Sequence, residues 1–564
     1  MGEHPSVTAG AMGSSASPPT QRRRVALFAG FGVSILLAFP HPVAGFVLDL
    51  GIVAAPLAPA FFILALDGLT PRKAAKQAFF GSLAAHFVFF HWFYVVTVSY
   101  GHAPPILGVF SPLAPALYIA LAHAIFGGVW ARLCARGAGS ALAAALLWTA
   151  LEHLRHFLFG GFPWATLGYS QYLNPGLMGL APWTGVHGLA FAVALCGAAL
   201  AQWWREGAGR PSRPVVMALG AVLLLHLPGL MAPSPDEIDD FDETLKVAAI
   251  QGNIDQGQKW RPDLAGEILD IYTELSRNAI DQGSRVIVWP ETAVPGFLEL
   301  EREISLPVAA LARDNSVSLV VGATGMELDR AGGKIRHVFD SAFFFEPEGA
   351  VIARYDKSHL VPFGEYVPLR GLIGWFFQAV ATGLSSTDIR SGSEPRSHPL
   401  PVVSISGTTP SGREGSSESV MIGVPICYEL LFPDLVRRFT KDGARVLFAI
   451  TNDAWYGRTG APYQFLAMTA LRAAESRLWT VRAANSGVSA IIDPLGRIRA
   501  RTGIFVRDFL TYDVPLAPLD GRETFYVRAG DWFAYVCWLA IGLLLIRGAR
   551  HEAEPESDPG LTGE

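Results

Sequence analysis

The sequence predicts a membrane protein in two parts, a multi-pass helical domain of about eight spans and a layered α/β domain. Of its 564 residues, 51% are hydrophobic and only 16% are charged, which is too apolar for a soluble chain of this length. Much of the apolar content lies in long runs. A more polar block at residues 232–529 instead alternates strand-like with helix-like patterns. These three observations define the fold class.

The predicted spans are apolar runs of about 20 residues, the length that crosses a bilayer as a helix. They lie at residues 25–42, 46–66, 78–98, 107–131, 141–159, 183–203, 214–231 and 530–546. Seven spans therefore form a domain at 25–231, and the eighth follows the α/β block. Pro40 and Pro42 interrupt the first run. Residues 1–24 begin with a segment rich in Ser, Pro, Gly and Ala, and we expect them to be disordered.

Positively charged residues predict the orientation, because short cytoplasmic loops retain Lys and Arg. In an eight-span topology nearly all of the positive residues near span ends fall on one side, and only Arg155 lies near a span end on the other. Both termini, including the tail at 547–564, are then cytoplasmic. The block at 232–529 emerges on the outer face, which is the periplasm if the membrane is the inner membrane of a bacterium.

The block at 232–529 is predicted to be a layered α/β domain. Strand-like runs lie at 246–251, 285–289, 318–322, 420–426 and 445–450, and helical patterns lie at 264–282, 431–442 and 463–484. The net charge is only -5, and no stripe of basic residues interleaved with aromatics appears. We therefore do not expect a nucleic-acid partner.

Three polar residues end strand-like runs in this block: Glu291, Lys357 and Cys427. Strand ends are where open α/β sheets bind ligands. A carboxylate can take the proton of a thiol, an ammonium can stabilise an oxyanion, and a thiol can attack a carbonyl carbon. Cys427 taken alone would more often be a buried structural thiol. All three residues in one block favour a nucleophilic centre.

The segments around these residues resemble the Glu-Lys-Cys signature of the nitrilase superfamily. They are Trp289-Pro-Glu291, Asp356-Lys357 followed by Pro362-Phe-Gly-Glu-Tyr-Val-Pro368, and Ile426-Cys-Tyr-Glu429. Further segments, together with the flanking spans, resemble the apolipoprotein N-acyltransferase family, which performs the last step of bacterial lipoprotein maturation. These are Gln251-Gly-Asn-Ile254, Lys259-Trp260 and Thr451-Asn-Asp-Ala-Trp-Tyr-Gly457.

The resemblance implies an α-β-β-α sandwich and a two-step acyl transfer without cofactor or metal. Cys427 would take an acyl chain from a membrane phospholipid as a thioester. The α-amine of an apolipoprotein's N-terminal diacylglyceryl-cysteine would then attack that thioester. Glu291 would serve as acid and base, and Lys357 would hold the oxyanion. The supporting glutamates and pocket aromatics of the family map to Glu365, Glu429, Tyr428 and Trp260, and we expect a monomer.

Several assignments keep alternatives. Glu365 alternatively caps backbone amides in a rigid turn. For Glu429, an ion pair with an arginine of the following helix is equally plausible, and Trp260 is equally plausible as a core residue. Residues 371–384 are interpreted either as a lid on the bilayer surface or as a buried helix.

Residues 152–156, Glu-His-Leu-Arg-His, superficially suggest metal ligands. Their spacing is not H-E-x-x-H and no other ligand cluster accompanies them, so charged groups that reach to the membrane interface or pair with one another are the favoured interpretation, with contact to a phospholipid headgroup as an alternative. The alternative function is a membrane-bound amidase or hydrolase of the nitrilase type, in which water replaces the amine. A transporter or scaffold that only binds ligand ranks last.

Overall fold

The computed structural model describes residues 18–239, 243–329, 334–362, 364–366, 389–402, 418–516 and 523–553. The segment 371–384, for which a lid or a buried helix was predicted, lies outside these described residues. So do residues 1–17 and 554–564, which cover most of the predicted N-terminal segment and C-terminal tail.

The N-terminal half is a bundle of apolar helices, and one C-terminal helix packs against it. The longer helices are Gln21–Leu37, Gly51–Ala65, Pro71–Phe89, Leu113–Ala135, Ala141–Leu154, Val186–Arg205, Arg213–Leu225 and Trp532–Ala553. Short helices are Pro105–Phe110, Pro175–Met178, Ala181–Thr184, Leu227–Leu230, Pro235–Asp239 and Phe525–Ala529. Each predicted span overlaps one of the longer helices.

Three helical stretches among the described residues are long and apolar enough to cross a membrane: Pro105–Ala135, Val186–Arg205 and Arg213–Leu230. Three shorter apolar helices accompany them, Gly51–Ala65, Ala141–Leu154 and Trp532–Arg547. Helices of membrane-spanning length are therefore present, whereas the count of eight spans stays a prediction.

The predicted limits of the first two spans are wrong. The first helix ends at Leu37, before Pro40 and Pro42, because proline supplies no N–H to continue a helix. Strands β1 (His41–Val43) and β2 (Phe46–Leu48) then form a hairpin. Its turn, Ala44-Gly45, has positive φ at both positions, as the tight turns of hairpins require. The second helix consequently begins at Gly51 rather than at residue 46.

The block after the seventh predicted span contains two six-stranded sheets. One sheet has the order β14-β3-β4-β5-β6-β7 and the other β13-β12-β11-β10-β9-β8. The strands are β3 (Thr244–Gln251), β4 (Val286–Val288), β5 (Ser318–Leu328), β6 (Ile335–Phe345), β7 (Val351–Asp356), β8 (His398–Val402), β9 (Glu418–Gly423), β10 (Val446–Thr451), β11 (Thr480–Ala484), β12 (Ala490–Ile492), β13 (Ile498–Arg501) and β14 (Asp508–Pro515).

Alternating side chains in the strands explain the layering. In β3, Val247 and Ala249 belong to the core between the two sheets, whereas Ala248 and Ile250 pack under outer helices. Helices Ala265–Asp281 and Arg302–Asn315 cover the first sheet, and Pro433–Lys441 and Ala461–Ser476 cover the second. The domain is the α-β-β-α sandwich that the resemblance implied.

The predicted helix at 463–484 is wrong in its second half. The helix runs Ala461–Ser476 and ends at Arg477, whose φ of 55° is left-handed, and β11 follows. The alanine-rich sequence gives no sign that the chain changes from helix to strand here. Strand β9 likewise ends at Gly423 rather than 426, because Pro425 cannot donate to the sheet.

The sandwich contacts one end of the helix bundle. The Val186 N–H, at the start of helix Val186–Arg205, donates to Glu475 of the sandwich at 2.9 Å, and the Trp164 indole donates to Gln464 at 2.7 Å. At the other end of that helix, Arg205 pairs with Asp67 at 3.4 Å. A helix of 20 residues is about 30 Å long, so these two ends lie roughly a bilayer core apart.

Candidate active site

Cys427 lies on a sharp turn just beyond β9. The chain leaves the strand through Pro425, and Cys427 begins the short 3-10 turn Cys427–Leu431 with a φ of 46°. A left-handed cysteine is uncommon and costs about 1–3 kcal/mol, which is typical of functional turns. The residue is buried, with 7% of its surface exposed.

The structure brings Glu291, Lys357 and Cys427 together. Glu291 follows β4 and Lys357 follows β7, so both lie at strand ends of the first sheet. The Lys357 Nζ donates to Glu291 Oε1 at 2.8 Å, and the Cys427 thiol lies beside the same glutamate. The three side chains therefore form one buried centre between the two sheets.

Charge pairing fixes the ionisation of this centre. Burial opposes ionisation of Glu291, but the charge of the Lys357 ammonium and the hydrogen bond that it donates are among the contacts that outweigh burial and lower the pKa of Glu291 to about 2. Burial likewise disfavours the Lys357 ammonium, yet the surrounding carboxylates raise its pKa well above the usual value. At neutral pH the pair is an ammonium and a carboxylate.

The Cys427 side chain is a neutral thiol at rest. Burial and the Glu291 charge raise the pKa of Cys427 well above its usual value, while Lys357 and the Asn452 backbone N–H oppose this shift. A thiol of this kind needs a base to take its proton before the sulfur can attack a carbonyl carbon, and the Glu291 carboxylate is the base beside it.

Glu365 contacts both Lys357 and its own turn. Its Oε1 accepts from Lys357 Nζ at 2.6 Å, and its Oε2 accepts from the Val361 backbone N–H at 2.9 Å. The carboxylate therefore caps a backbone amide of its loop, as the alternative interpretation has it, and its support of catalysis stays a prediction.

The hypothesis that Glu429 pairs with an arginine is wrong for the described part of the chain. Its Oε1 accepts from the Tyr355 hydroxyl and the Ser358 N–H, both at 2.7 Å, and its Oε2 accepts from the Ile426 N–H at 2.8 Å. Glu429 thus ties the backbone beside Lys357 to the backbone beside Cys427. Its supporting role in catalysis stays a prediction.

Tyr428 connects the nucleophile turn to the helix bundle. Its hydroxyl donates to the Gly161 carbonyl oxygen at 3.1 Å. Tyr456, from the Asn452–Gly457 loop, packs on Trp92 and Trp164 of the bundle, with ring centroids 5.2 and 5.8 Å apart. Aromatic side chains of the sandwich therefore contact the helix bundle, and the pocket role that the resemblance implies for Tyr428 stays a prediction.

Trp260 is not a core residue. It is 50% exposed, and the ammonium of its neighbour Lys259 lies 5.9 Å from its ring centroid. An exposed indole beside the site is compatible with contact to an incoming substrate, and that role stays a prediction.

Sequence reasoning missed two buried residues of the centre. Lys259 Nζ donates to the Glu291 carbonyl oxygen at 3.1 Å, and burial lowers its pKa to about 8 against the opposing pull of nearby acids. Asp340 lies 3.3 Å from Lys357 Nζ. The sequence does contain an indication of Asp340. This acidic residue interrupts the apolar run of β6, at a position on the same strand face as Ala342 and Phe344 of the core between the sheets.

The Asn452 loop is braced by a buried ion pair. The Arg482 guanidinium donates to Asp453 Oδ2 at 2.6 Å, and both side chains are fully buried. This brace holds the Asn452 N–H beside the Cys427 sulfur. The motif quoted for its resemblance therefore has a structural role at the nucleophile.

Residues 152–156 lie at the end of the bundle that faces the sandwich. Glu152 pairs with Arg155 at 3.5 Å, as the favoured interpretation has it. Donor atoms of His153, His187 and Asp531 lie within 4.8 Å of one another. However, the Trp538 indole donates to Nδ1 of His153 at 3.3 Å, which leaves the proton on the Nε2 that faces Asp531. This tautomer fits a histidine–carboxylate pair and not a metal ligand.

The sandwich with its Glu-Lys-Cys centre defines an α/β enzyme of the nitrilase class. Residues 246–521 match the carbon-nitrogen hydrolase family, and residues 31–199 match the apolipoprotein N-acyltransferase N-terminal domain. The chain belongs to the apolipoprotein N-acyltransferase family, and it is an enzyme with membrane helices.

Two relatives illustrate the match. The apolipoprotein N-acyltransferase of Geobacter metallireducens is 39% identical over 522 residues, which cover 90% of this chain and 91% of that protein. The one from Pseudomonas syringae pv. tomato is 33% identical over 498 residues, 86% of this chain and 91% of that protein. Among solved structures, an amidase from Nesterenkonia sp. is 19% identical, with a TM-score of 0.35, over 50% of this chain and 94% of that one.

Proposed function

We propose that this enzyme transfers a fatty acyl chain from a membrane phospholipid to the α-amine of the N-terminal diacylglyceryl-cysteine of an apolipoprotein. This is the last step of bacterial lipoprotein maturation. The observation that carries the proposal is a buried thiol beside a hydrogen-bonded pair of a carboxylate and an ammonium, at the end of the bundle that contacts the sandwich.

In the first half-reaction, Cys427 Sγ attacks the ester carbonyl carbon while its proton passes to Glu291. The Lys357 ammonium stabilises the negative oxygen of the tetrahedral intermediate. The carbon–oxygen bond of the ester then breaks. Glu291 returns the proton to the departing alcohol, so that a lysophospholipid leaves and a thioester remains on Cys427.

In the second half-reaction, the α-amine attacks the thioester carbonyl carbon and Glu291 takes the amine proton. The carbon–sulfur bond breaks, and the sulfur recovers a proton from Glu291. The products are an N-acylated peptide and the resting thiol. Glu365 and Glu429 position the centre, and Tyr428 and Trp260 line the approach of the substrates.

We propose eight spans, with a seven-span domain at 25–231, the catalytic domain at 232–529 and an eighth helix at 530–546. The segments 1–24 and 547–564 then lie in the cytoplasm. Two observations support this arrangement. Each predicted span overlaps a helix, and Arg24 and Arg205 both contact Asp67 at the end of the bundle remote from the sandwich.

In this orientation the catalytic domain faces the periplasm and the helices lie in the inner membrane. The donor is a phospholipid of that membrane, the acceptor is a diacylated apolipoprotein, and the enzyme acts as a monomer.

Product analysis tests the proposed reaction. Purified enzyme in detergent is incubated with a phospholipid of defined chains and a diacylated lipopeptide, and the products are identified by mass spectrometry. We expect the N-acylated peptide and a lysophospholipid. Free fatty acid in place of the N-acylated peptide would identify a hydrolase instead.

A further inference from the structure

Among the residues that the structure describes, the centre holds more carboxyl groups than its cations balance. Oxygen atoms of Glu291, Asp340 and Glu365 lie within 4.8 Å of one another. The ammonium of Lys357 lies among them, and Lys259 is the second buried ammonium beside them. Three carboxylates against two ammonium groups would leave an uncompensated negative charge in a buried site, which is strongly unfavourable.

Asp340 is the carboxyl group with the fewest donors. Its Oδ2 lies 3.3 Å from Lys357 Nζ, the longest of the three contacts of that ammonium. Its Oδ1 is buried, and no N–H or hydroxyl group of the described residues donates to it. Glu365, by contrast, accepts from Lys357 at 2.6 Å and from a backbone N–H.

We infer that Asp340 is a neutral carboxylic acid that donates its proton in a hydrogen bond to Glu291, and so keeps Glu291 ionised as the base for Cys427. This inference deepens the proposed function and rests on it. Asp340 is then a positioning residue that acts through Glu291.

The charges around Asp340 support this state. Burial and the charge of Glu291 raise the pKa of Asp340 well above its usual value, although Lys357 opposes the shift. The groups that face it are Glu291 after β4, Lys357 after β7, Glu365 from the loop that follows, and more distantly Lys259. With Asp340 neutral, two ammonium groups balance two carboxylates.

A neutral Asp340 also explains how Lys357 can reach an oxyanion. An ammonium has three N–H donors, and all three meet carboxyl oxygens, at 2.6, 2.8 and 3.3 Å. A new acceptor must displace one of them. The contact with a neutral acid is the weakest, so the N–H directed at Asp340 is the one that turns to the developing oxyanion.

The test compares D340N, which keeps the size and an N–H donor of a neutral acid, with D340A. The control is D314N, at an exposed aspartate paired with Arg313. Acyl-enzyme formation is timed by intact-mass spectrometry, with melting temperature as the folding check. We expect D340N to stay within about threefold of wild type and D340A to lose roughly tenfold or more. A loss in D340N as large as that in D340A would overturn the inference.

Infrared spectroscopy provides a readout that does not depend on acyl transfer. Wild-type protein labelled with carbon-13 at aspartate side-chain carboxyls should show a protonated-acid carbonyl band at neutral pH that shifts with the label. This band should be reduced in D340N and unchanged in D314N. The absence of a label-sensitive acid band from wild type, or its persistence in D340N, would overturn the inference even if D340A failed to fold. If wild type forms no acyl-enzyme, the proposed function fails, whereas the infrared result still reports the state of Asp340.

Discussion

The Nζ of Lys357 donates to Glu291 Oε1 at 2.8 Å, and both side chains are buried. Lys357→Met removes this ammonium, which holds Glu291 ionised and stabilises the oxyanion. We expect the rate of acyl-enzyme formation to fall by about 100- to 1,000-fold, the usual effect of losing one oxyanion donor.

The matched control is Lys441→Met, at an exposed lysine on helix Pro433–Lys441. It should leave the rate unchanged. A folded Lys357→Met enzyme that acylates Cys427 at the wild-type rate would remove Lys357 from the mechanism.

Glu429→Gln tests the link between the two strand ends. The amide replaces one carboxylate oxygen with an N–H2 group that faces donors from Tyr355, Ser358 or Ile426. Leaving such buried donors unpaired costs about 1–3 kcal/mol of the free energy of unfolding, so the melting temperature should fall. The acylation rate should fall by about tenfold or more, because Cys427 and Lys357 lose their common anchor.

Asp434→Asn is the comparison for Glu429→Gln. Asp434 is a partly exposed carboxylate that pairs with Arg437 and Arg438, and such pairs contribute little to stability. If the two variants showed the same melting temperature and the same acylation rate, Glu429 would not link the backbone at Cys427 to that at Lys357.

Much of this centre was predictable because polar residues that end apolar strands stand out in a sequence. Glu291, Lys357 and Cys427 were found in that way, and the structure brings them together. Lys259 and Asp340 were missed, because their importance depends on long-range packing that no local pattern encodes. The arginine pair considered for Glu429 is wrong for the same reason, since its partners Tyr355 and Ser358 come from β7 and the segment just after it.

Boundaries were less predictable than elements. The β1–β2 hairpin lies inside an apolar stretch whose composition predicts a helix. Pro40 and Pro42 are the residues there that indicate the end of that helix. The strand at Thr480–Ala484 follows an alanine-rich helix without a proline or glycine between them. The left-handed Arg477 that ends the helix carries no signal in its residue type.

Burial of Lys259 predicts a pH dependence of stability. Its pKa is about 8 in the folded protein and about 10.4 in the unfolded chain. Between these values the unfolded state binds more protons, so this residue's contribution to stability rises with pH. The difference in melting temperature between wild type and Lys259→Met should therefore shift in favour of wild type from pH 7 to pH 10. A difference that stays constant, as expected for the exposed Lys441→Met, would contradict the assignment.

The proposed topology predicts which residues a membrane-impermeant thiol reagent reaches in intact spheroplasts. Glu267→Cys, on the exposed face of helix Ala265–Asp281, should react, whereas Gly209→Cys, in an open loop at the arginine-rich end, should react only after lysis. Both variants are made in a chain whose Cys134, Cys196 and Cys537 are alanine. The reverse labelling pattern would place the catalytic domain in the cytoplasm.

The most direct test of the account is the intact mass of the enzyme after incubation with a phospholipid of defined chains and no acceptor. We predict a mass increase of one acyl group, located on Cys427 by fragmentation, absent from Cys427→Ala and discharged by adding a diacylated lipopeptide. Turnover without any adduct on the wild-type protein, or the same adduct on Cys427→Ala, would contradict the account.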